Sequence, residues 1–261
     1  MRPNNTDMYA FDMEITRHGK VHLNASWKSL NARNYYTRIY LVKRGDGYLR
    51  EEDKTVPLEA GNIYLIPSEH NFGFGCTELE KIFFHILLPA GEKMDILQEI
   101  ESILVLPDSA ELIDAMYAAY GQNDAISLMR VKMLLYTVID RLITRYNLQF
   151  SCTDALSKIS KDALCYVWDH ISVKLSTREI AQKLFVSESG LRNAFKADVG
   201  IALGKYIDDA VFFTVRKYLT AGIPVEEIAQ KLGFCDRHYL SRRFKEKFGK
   251  TISQYRKDQL M

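Results

Sequence analysis

The sequence predicts an α+β protein, with an antiparallel β-barrel at the N-terminus, helices behind it and an all-α domain at the C-terminus. Short segments rich in aromatic and β-branched residues, separated by glycine turns, fill residues 27–88. Helical periodicity replaces them in residues 92–150. The hexapeptide EIAQKL then occurs twice, at residues 179–184 and 227–232, which indicates two similar small units in tandem.

Length and composition place the chain among ordinary globular proteins. Its 261 residues can form two domains, and 47% apolar with 26% charged residues is the usual balance. The polar N-terminus does not look like a signal peptide, and no run of eighteen apolar residues exists, so we expect a cytoplasmic protein that does not enter a membrane. Four scattered cysteines indicate reduced thiols rather than a disulfide framework or a zinc site; they are Cys76, Cys152, Cys165 and Cys235.

Charge is divided unevenly along the chain. Residues 156–261 contain 19 Lys and Arg against 12 Asp and Glu, a net charge of +7. Residues 1–155 contain 16 against 21, a net charge of −5. The basic part is also the repeated part, and this asymmetry indicates that it alone binds nucleic acid or another anionic surface.

The N-terminal segments alternate between strands and turns. Residues 35–42 are typical of a strand, which the glycines of the RGDG stretch at 44–47 close with a turn. Short strands follow at 48–50 and 55–58, then a turn at 60–62 and strands at 63–67 and 81–88. This spacing is typical of a small antiparallel barrel or sandwich, and such a barrel encloses roughly one small ligand.

Three stretches of this region carry a family resemblance: residues 44–47 (RGDG), residues 60–67 (AGNIYLIP) and His70. On these residues the segment resembles the cupin-like sensor domain of AraC-family transcription regulators. Metal-dependent cupins also carry an H-x-H pattern, which is missing here, and Phe72 stands where their second histidine falls. His70 and His85 alone do not supply the three or four ligands that zinc or iron chemistry requires, so we expect no metal and no cofactor.

The resemblance also implies which side chains touch a ligand, and these are His70, Phe72, Phe83 and His85. Aromatic walls with a few polar groups suit a sugar or a flat small metabolite. The alternative for Phe72 and Phe83 is that they fill the barrel core. Arg38 lies in a strand, where an unpaired buried charge is costly, so we expect it to face solvent or else to fix an anionic ligand group through its planar guanidinium.

Three helical stretches are expected in residues 92–150. A weak apolar stripe covers 94–104, Ser109 caps a second stretch to residue 120, and a strong amphipathic helix covers 128–146. A second apolar edge of this last helix contains Met129, Met133 and Ile139. The resemblance implies a dimerisation element here, and the alternative is packing against the barrel, because a wide apolar face predicts burial but not its partner.

The expected domain organisation follows from these changes of pattern. We divide the chain into a cupin-like ligand-sensing barrel (1–90), a helical dimerisation or packing segment (91–150), a linker (151–156) and a DNA-binding domain (157–261).

Each repeated unit is typical of two helices joined by a tight turn. In the first unit Ser176 caps the hexapeptide helix and Ser187 can cap the next helix. In the second, Pro224 occupies the first helical position and Gly233 opens the turn. A small alanine in the hexapeptide lets the two helices cross closely. This is the helix-turn-helix arrangement, whose second helix enters the major groove of DNA.

The C-terminal resemblance to the AraC/XylS family rests on residues 228–234 (IAQKLGF), residues 242–245 (RRFK) and Gly249. It covers about residues 160–256. An apolar stripe over residues 203–218 predicts a linker helix between the units, ended by Gly222. That helix would hold both recognition helices on one face of DNA, in major-groove entries about 34 Å apart.

Exposed early positions of each second helix are the candidates for reading base edges. They are Ser189, Arg192 and Asn193 in the first unit, and Arg237, His238, Ser241 and Arg242 in the second. We assign four lysines to phosphates, which position a protein without specifying sequence; they are Lys196, Lys245, Lys247 and Lys250. The alternative for each polar residue is a solvated helix face.

The first unit departs from the family pattern more than the second. Phe185 replaces the usual turn glycine, Gly190 lies inside the recognition helix, and Asn193 stands where arginine is common. In the second unit Cys235 takes the usual N-cap serine position, which leaves Asp236 as the expected cap. The linker helix also carries FF at 212–213 where charged residues are usual. We therefore expect DNA contact from the second unit more than from the first.

These patterns predict a sequence-specific DNA-binding transcription regulator, not an enzyme, controlled by a small-molecule effector for which a sugar is one candidate. Its expected partners are double-stranded DNA, that effector, a second copy in a homodimer and the transcription machinery. The resemblance suggests an activator, although the residues do not determine whether transcription rises or falls. Two alternatives stay open: the barrel contacts a protein partner or nothing, or the chain is a cupin enzyme with an accessory binding module.

Overall fold

The computed structural model describes residues 12–52, 54–89, 93–122, 124–150 and 156–260. Within these ranges the chain forms two compact units, one made of residues 12–89 and 95–150 and the other of residues 156–260. The predicted linker, apart from Leu156, lies outside the described residues, as does Cys152. Among the described residues no helix is both long enough and apolar enough to cross a membrane.

A seven-stranded antiparallel sheet forms the first unit, in the order β1-β6-β3-β5-β7. Its strands are β1 (Glu14–Asn24), β2 (Lys28–Ala32), β3 (Thr37–Glu51), β4 (Lys54–Glu59), β5 (Ile63–Ile66), β6 (Phe72–Leu87) and β7 (Leu104–Leu106). The two long central strands, β3 and β6, pair with each other along their whole length. Each of them also pairs with one further strand near its start and with another near its end. β6 pairs with β1 and β2, and β3 pairs with β4 and β5, so the sheet is bent into two halves.

The bent sheet has two apolar faces. What we call the inner face is formed by side chains from both halves of the sheet, including Trp27, Tyr40, Val42, Tyr64, Phe72 and Phe74. The outer face includes Ile39, Leu41, Ile82 and Phe84, and the helices of this unit pack on it. Alternation along each strand therefore decides which side chains point into the inner face.

Three features of this unit differ from the sequence predictions. The RGDG stretch is not a turn, because β3 continues through it with register shifts before Arg44 and after Asp46. Gly45 has φ +90° and a Cβ there would lie 2.0 Å from the Glu78 carbonyl oxygen, so this is a β-bulge that requires glycine. β1 lies before the region predicted as β. The stripe at 94–104 is only a single 3-10 turn (Ile96–Glu99), with β7 starting at its end.

Two helices follow, α1 (Ala110–Ala119) and α2 (Ala125–Tyr146). Ser109 precedes α1, but its hydroxyl donates to the Leu106 and Pro107 carbonyls instead of capping the helix. α2 buries one stripe on the outer face, including Val131, Leu135 and Val138. Of the predicted second apolar edge, Met129 and Met133 are exposed, whereas Ile139 is buried in the core, because it lies on the side of the helix that faces the sheet. α2 therefore packs on the sheet and still presents an apolar surface.

The second unit is all helical within residues 156–260. Its helices are α3 (Lys158–Asp169), α4 (Thr177–Lys183), α5 (Glu188–Val199), α6 (Leu203–Thr220), α7 (Val225–Lys231), α8 (Arg237–Phe248) and α9 (Ile252–Leu260). The two copies of the hexapeptide lie in α4 and α7, and the last residue of each copy is the C-cap that follows the helix. Pro224 is the N-cap of α7 rather than its first residue.

α6 is the predicted linker helix, and it contributes to the core on both of its sides. Phe212 is fully buried and its ring lies 6.0 Å from Phe234 and 5.9 Å from Phe248. Phe213, the next residue, packs edge-on against Trp168 at 6.1 Å. The two phenylalanines therefore serve different halves of the unit, and this explains apolar residues where charges are usual.

Candidate nucleic-acid interface and inner-face site

The two helix-turn-helix turns have the same backbone hydrogen bonds. In the first, the N–H of Phe185 donates to Gln182 and that of Val186 to Ala181, at 3.3 and 3.0 Å. In the second, Gly233 donates to the Gln230 carbonyl at 3.3 Å, and the next residue donates to that of Ala229 at 2.9 Å. Both turns are helix C-terminal motifs that place one residue in the left-handed region. That residue is Phe185 (φ +56°) in one and Gly233 (φ +75°) in the other.

The recognition helix of the first unit is α5. Its N-cap Ser187 accepts a hydrogen bond from the Gly190 N–H at 3.1 Å, as predicted. A Cβ on Gly190 would lie 2.8 Å from the Ser187 hydroxyl oxygen, so the glycine leaves room for the cap. Arg192 forms an ion pair with Glu188 one turn earlier, and both residues lie on the surface.

The recognition helix of the second unit is α8. Asp236 caps it, as expected, by accepting from the Tyr239 N–H at 2.7 Å, and this hydrogen bond lowers the pKa of the Asp236 carboxyl. The side chain of Arg242 lies over the Tyr239 ring, 5.4 Å from its centre. The Ser241 hydroxyl donates to the Arg237 carbonyl at 2.8 Å, which leaves its oxygen able to accept from a base.

The residues predicted to touch DNA lie on the surface of these two helices. Eight of them are exposed, namely Ser189, Arg192, Asn193, Lys196, Arg237, His238, Arg242 and Lys245. Ser241, Lys247 and Lys250 are partly buried. A face of this kind can follow the phosphate backbone and present donors to base edges.

Lys247, one of the four lysines assigned to phosphates, is paired with carboxylates of the protein itself. Its ammonium group pairs with Asp208 and lies 2.7 Å from Asp209, both on α6. Arg243 also pairs with Asp208, at 2.8 Å, and its guanidinium lies 5.6 Å from the centre of the Phe212 ring. These ion pairs fix α8 to the linker helix, so Lys247 has counter-charges inside the protein before any DNA is bound.

Hydrogen bonds connect the loop before the first helix-turn-helix unit to the turn of the second helix-turn-helix unit. We call this connection the bridge. The carbonyl of Leu232 accepts from the Val173 N–H at 2.9 Å and from the Ser172 hydroxyl at 3.2 Å. Both donors lie in the loop between α3 and α4. A Cβ on Gly233 would lie 2.5 Å from the Ser172 hydroxyl oxygen, so this loop covers the second turn closely. The bridge was not expected from the sequence, because it joins residues about sixty positions apart.

The residues predicted to bind a ligand lie mostly together on the inner face. Arg38 is only 5% exposed, so the expectation that it faces solvent is wrong. The register places Arg38 beside His85, and its guanidinium lies 4.9 Å from the centre of the Phe72 ring. The Phe83 and His85 rings are 5.0 Å apart. Four of the five predicted residues therefore line one patch of the inner face.

His70 is held by a different partner. Its Nε2 lies 2.5 Å from the Glu51 carboxylate, which also accepts from the Ile103 N–H at 2.8 Å. Glu51 is 8% exposed and belongs to the far end of β3. His70 therefore lies at one end of the inner face, next to the last residue of β3 and to Ile103.

Sequence reasoning missed Tyr36, Trp27, Tyr40 and Lys81 on the inner face. Tyr36 stacks on His85 with ring centres 4.2 Å apart, and the Lys81 ammonium group lies 3.2 Å from the centre of the Tyr40 ring. A signal was present, because a period of two from His85 leads to Lys81 and a period of two from Arg38 leads to Tyr36 and Tyr40. In the described part of the chain, no three His, Cys, Asp or Glu side chains are grouped to hold a metal ion.

Comparisons with known proteins agree with this geometry. A family model described as a helix-turn-helix domain matches residues 180–258. The chain is 24% identical over 274 residues to the Msm operon regulatory protein of Streptococcus mutans, which covers 98% of this chain and 96% of that protein. It is 24% identical over 153 residues to the arabinose operon regulatory protein of Salmonella typhimurium, covering 58% of this chain and 53% of that one.

Solved structures also match over nearly the full length of this chain. The apo form of a ToxT variant from Vibrio cholerae has a TM-score of 0.51 at 15% identity, and the match covers 95% of this chain and 97% of that chain. This likeness shows a shared fold, with an antiparallel sheet and its helices followed by a helical C-terminal part.

Proposed function

We propose that this chain is a DNA-binding transcriptional regulator of the AraC/XylS family. A small molecule bound on the inner face would control how its two helix-turn-helix units engage an operator, and the matches to a helix-turn-helix family model and to two operon regulators support this. One observation carries the DNA-reading part: two capped recognition helices present exposed polar and basic side chains and are packed on one linker helix. Effector binding would act by favouring one of two arrangements of the chain or of a dimer.

The division of labour among the exposed side chains follows from their chemistry. Arg237 and Arg242 can form paired hydrogen bonds to guanine, and Asn193 can do so to adenine. We assign Ser189, Arg192, His238 and Ser241 to the same base-reading face. Lys196, Lys245 and Lys250 contact phosphates, whereas Lys247 chiefly orients α8 through Asp208.

The exposed edge of α2 supports a homodimer. Ile126, Leu128, Met129 and Met133 are each more than half exposed, although they lie on a helix whose other face is buried. A groove of about 440 Å³ adjoins them between α1 and α2, with Ala115, Ala118 and Met133 in its lining. Apolar patches of this kind mark interaction sites, and a second copy of the chain is the partner proposed here.

The remaining parts of the proposal concern the cellular setting. The protein would work in the cytoplasm, contact the transcription machinery once bound to DNA, and catalyse no reaction. Its named relatives are operon regulators, and this supports the proposal without extending their effectors to this chain.

Selection of bound sequences from random DNA tests the function directly. The full-length protein is incubated with random duplexes, with and without a panel of small metabolites, and the recovered DNA is sequenced. We expect an enriched motif with two elements about one helical turn apart, whose recovery changes with at least one metabolite. The absence of any enriched motif would overturn the assignment of base-reading residues. A motif whose recovery no metabolite alters would overturn effector control alone.

A further inference from the structure

Three neighbouring strands place basic side chains side by side on the inner face. Arg17 of β1 and Arg38 of β3 are both cross-strand neighbours of His85 on β6. Arg38 and His85 are 5% and 6% exposed. Like charges directly opposite one another destabilise a sheet, so a positive charge on His85 would be unfavourable between these two arginines.

A fourth basic residue extends the row along β6. Lys81 lies four residues before His85, on the same face of the strand, and is 3% exposed. Its ammonium group lies 3.9 Å from the centre of the Trp27 ring and 3.2 Å from that of Tyr40. The aromatic faces favour a cation there, whereas burial and the nearby Arg38 charge hold the pKa of Lys81 well below its usual value.

Lys81 and His85 lie on a part of the sheet where counter-charge for them is scarce. Within the described residues, no carboxylate forms an ion pair with Lys81 or His85, and the buried Nδ1 of His85 has no hydrogen-bond partner. Burial, Arg38 and Arg17 together hold the pKa of His85 well below its usual value. The buried acid of this face, Glu51, is already engaged by His70 and the Ile103 N–H.

We propose that the inner face binds a small organic anion, whose carboxylate or phosphate group lies among Lys81, Arg38 and His85 while its body packs on the surrounding aromatic rings. This rests on the proposed function, because it names the chemical class of the effector. A bound anion supplies a counter-charge for Lys81 and an acceptor for His85, and planar Arg38 can hold two of its oxygens. The rings of Tyr36, Phe72 and Phe83 lie beside these groups and suit a flat or sugar-like body.

Thermal melting of the full-length protein tests this with probes that share one body and differ in charge. Glucose, glucuronate and glucose 6-phosphate form one set, and benzyl alcohol and benzoate form another. We expect only charged members to raise the Tm, by about 5 °C at roughly 100 times their Kd. The carboxylate and phosphate arms separate the two sources of the anion.

The variant Lys81→Met removes the buried amine and keeps a similar volume. We expect it to melt higher than wild type without ligand, because the cost of burying the amine is removed, and to lose the response to anions. Lys54→Met makes the same change at an exposed position of β4 and should behave like wild type. Inorganic phosphate, compared with chloride at equal ionic strength, tests the anion site without any organic body. It should raise the Tm of wild type more than that of Lys81→Met.

Two results would overturn the proposal. One is a neutral probe that raises the Tm equally in wild type and Lys81→Met, which would leave effector control intact with an uncharged ligand. The other is a phosphate response that is the same in both proteins when no organic probe acts. Failure of the proposed function would give another result. In that case an anion would raise the Tm but would not change DNA binding.

Discussion

The two helix-turn-helix units have the same hexapeptide and the same turn hydrogen bonds, yet their turns lie in different surroundings. Phe185, at the left-handed position of the first turn, is 96% exposed. Gly233, at the same position of the second, lies under the loop that carries Ser172. The comparison teaches that glycine is required at Gly233 by contact as well as by backbone angle, whereas at Phe185 only the angle matters.

The reading helices differ as much as the turns. Aligned on their buried leucines, Leu191 and Leu240, the helices place Asn193 opposite Arg242 and Lys196 opposite Lys245. α8 carries several more basic residues than α5, and the ion pairs of Asp208 hold it against α6. The second unit should therefore supply most of the base discrimination and, because α8 is the more basic helix, most of the general attraction to the duplex as well.

Substitutions at the aligned pair test that division and should have the largest effect. We expect Arg242→Ala to weaken binding to the selected operator by about 10- to 100-fold, corresponding to about 1–3 kcal/mol for one paired contact to a base. The same change should weaken binding to scrambled DNA much less. Asn193→Ala should weaken binding to the operator less than Arg242→Ala does. Titrations of labelled duplexes measure all four affinities.

The aligned lysines provide the control for this experiment. Lys245→Ala and Lys196→Ala should weaken binding to operator and scrambled DNA by similar factors, because phosphates are contacted on any sequence. If Arg242→Ala and Lys245→Ala gave the same ratio of specific to non-specific binding, the assignment of base and phosphate contacts would be wrong.

The next largest effect is expected from adding a methyl group in the turn of the second helix-turn-helix unit. Gly233→Ala brings a Cβ against the Ser172 hydroxyl and puts an alanine at positive φ, so we expect a loss of about 1–3 kcal/mol in the free energy of unfolding. Urea denaturation followed by circular dichroism measures it. Ser172→Ala in the same background should recover part of the loss, and an additive result would mean that the contact is unimportant.

The cap of the first recognition helix should matter somewhat less. Ser187→Ala removes the acceptor of the Gly190 N–H and should cost about 1 kcal/mol, seen as a lower midpoint in urea. Ser189→Ala, at an exposed position two residues further on, removes only a 3.5 Å hydrogen bond to the Ser187 hydroxyl and leaves the Gly190 N–H capped, so it should be nearly neutral. Equal effects of the two changes would contradict the capping role.

The smallest effect is a gain. Phe185→Gly relieves the left-handed strain and loses little packing, because the ring is exposed. We expect the protein to be stabilised by about 1 kcal/mol or less, a rise of about 1–3 °C in Tm. Phe185→Ala should give no such rise, since alanine keeps the strain. A fall in Tm with glycine would show that the Phe185 side chain makes a stabilising contact.

The helical part of the fold could be predicted well because its signals are local. The twin hexapeptide, the cap at Ser187 and the cap at Asp236 each depend on a few neighbouring residues, and the structure confirms them. The exposed positions of α5 and α8 followed from helical periodicity. The bridge from Val173 to Leu232 could not be predicted, because it depends on how two units pack together.

The sheet was harder to predict because its pairing joins residues that are distant in sequence. Many residues of β1 are polar and only half buried, so its strand signal was weak. Gly45 looked like a turn residue and instead makes a bulge, since β3 continues past it against β6. The burial of Arg38 and the position of Lys81 follow from the register of strands that lie about forty residues apart.

The bridge at the Leu232 carbonyl also constrains how two duplicated units can diverge. A change at Phe185 alters an open surface, and selection acts on it only through the local backbone. A change at Gly233 also displaces a loop that belongs to the other copy, so selection acts on both copies together. Drift should therefore accumulate in the first turn. New operators would then arise by replacing side chains on the reading helices, while descendants keep the same distance between the two DNA elements.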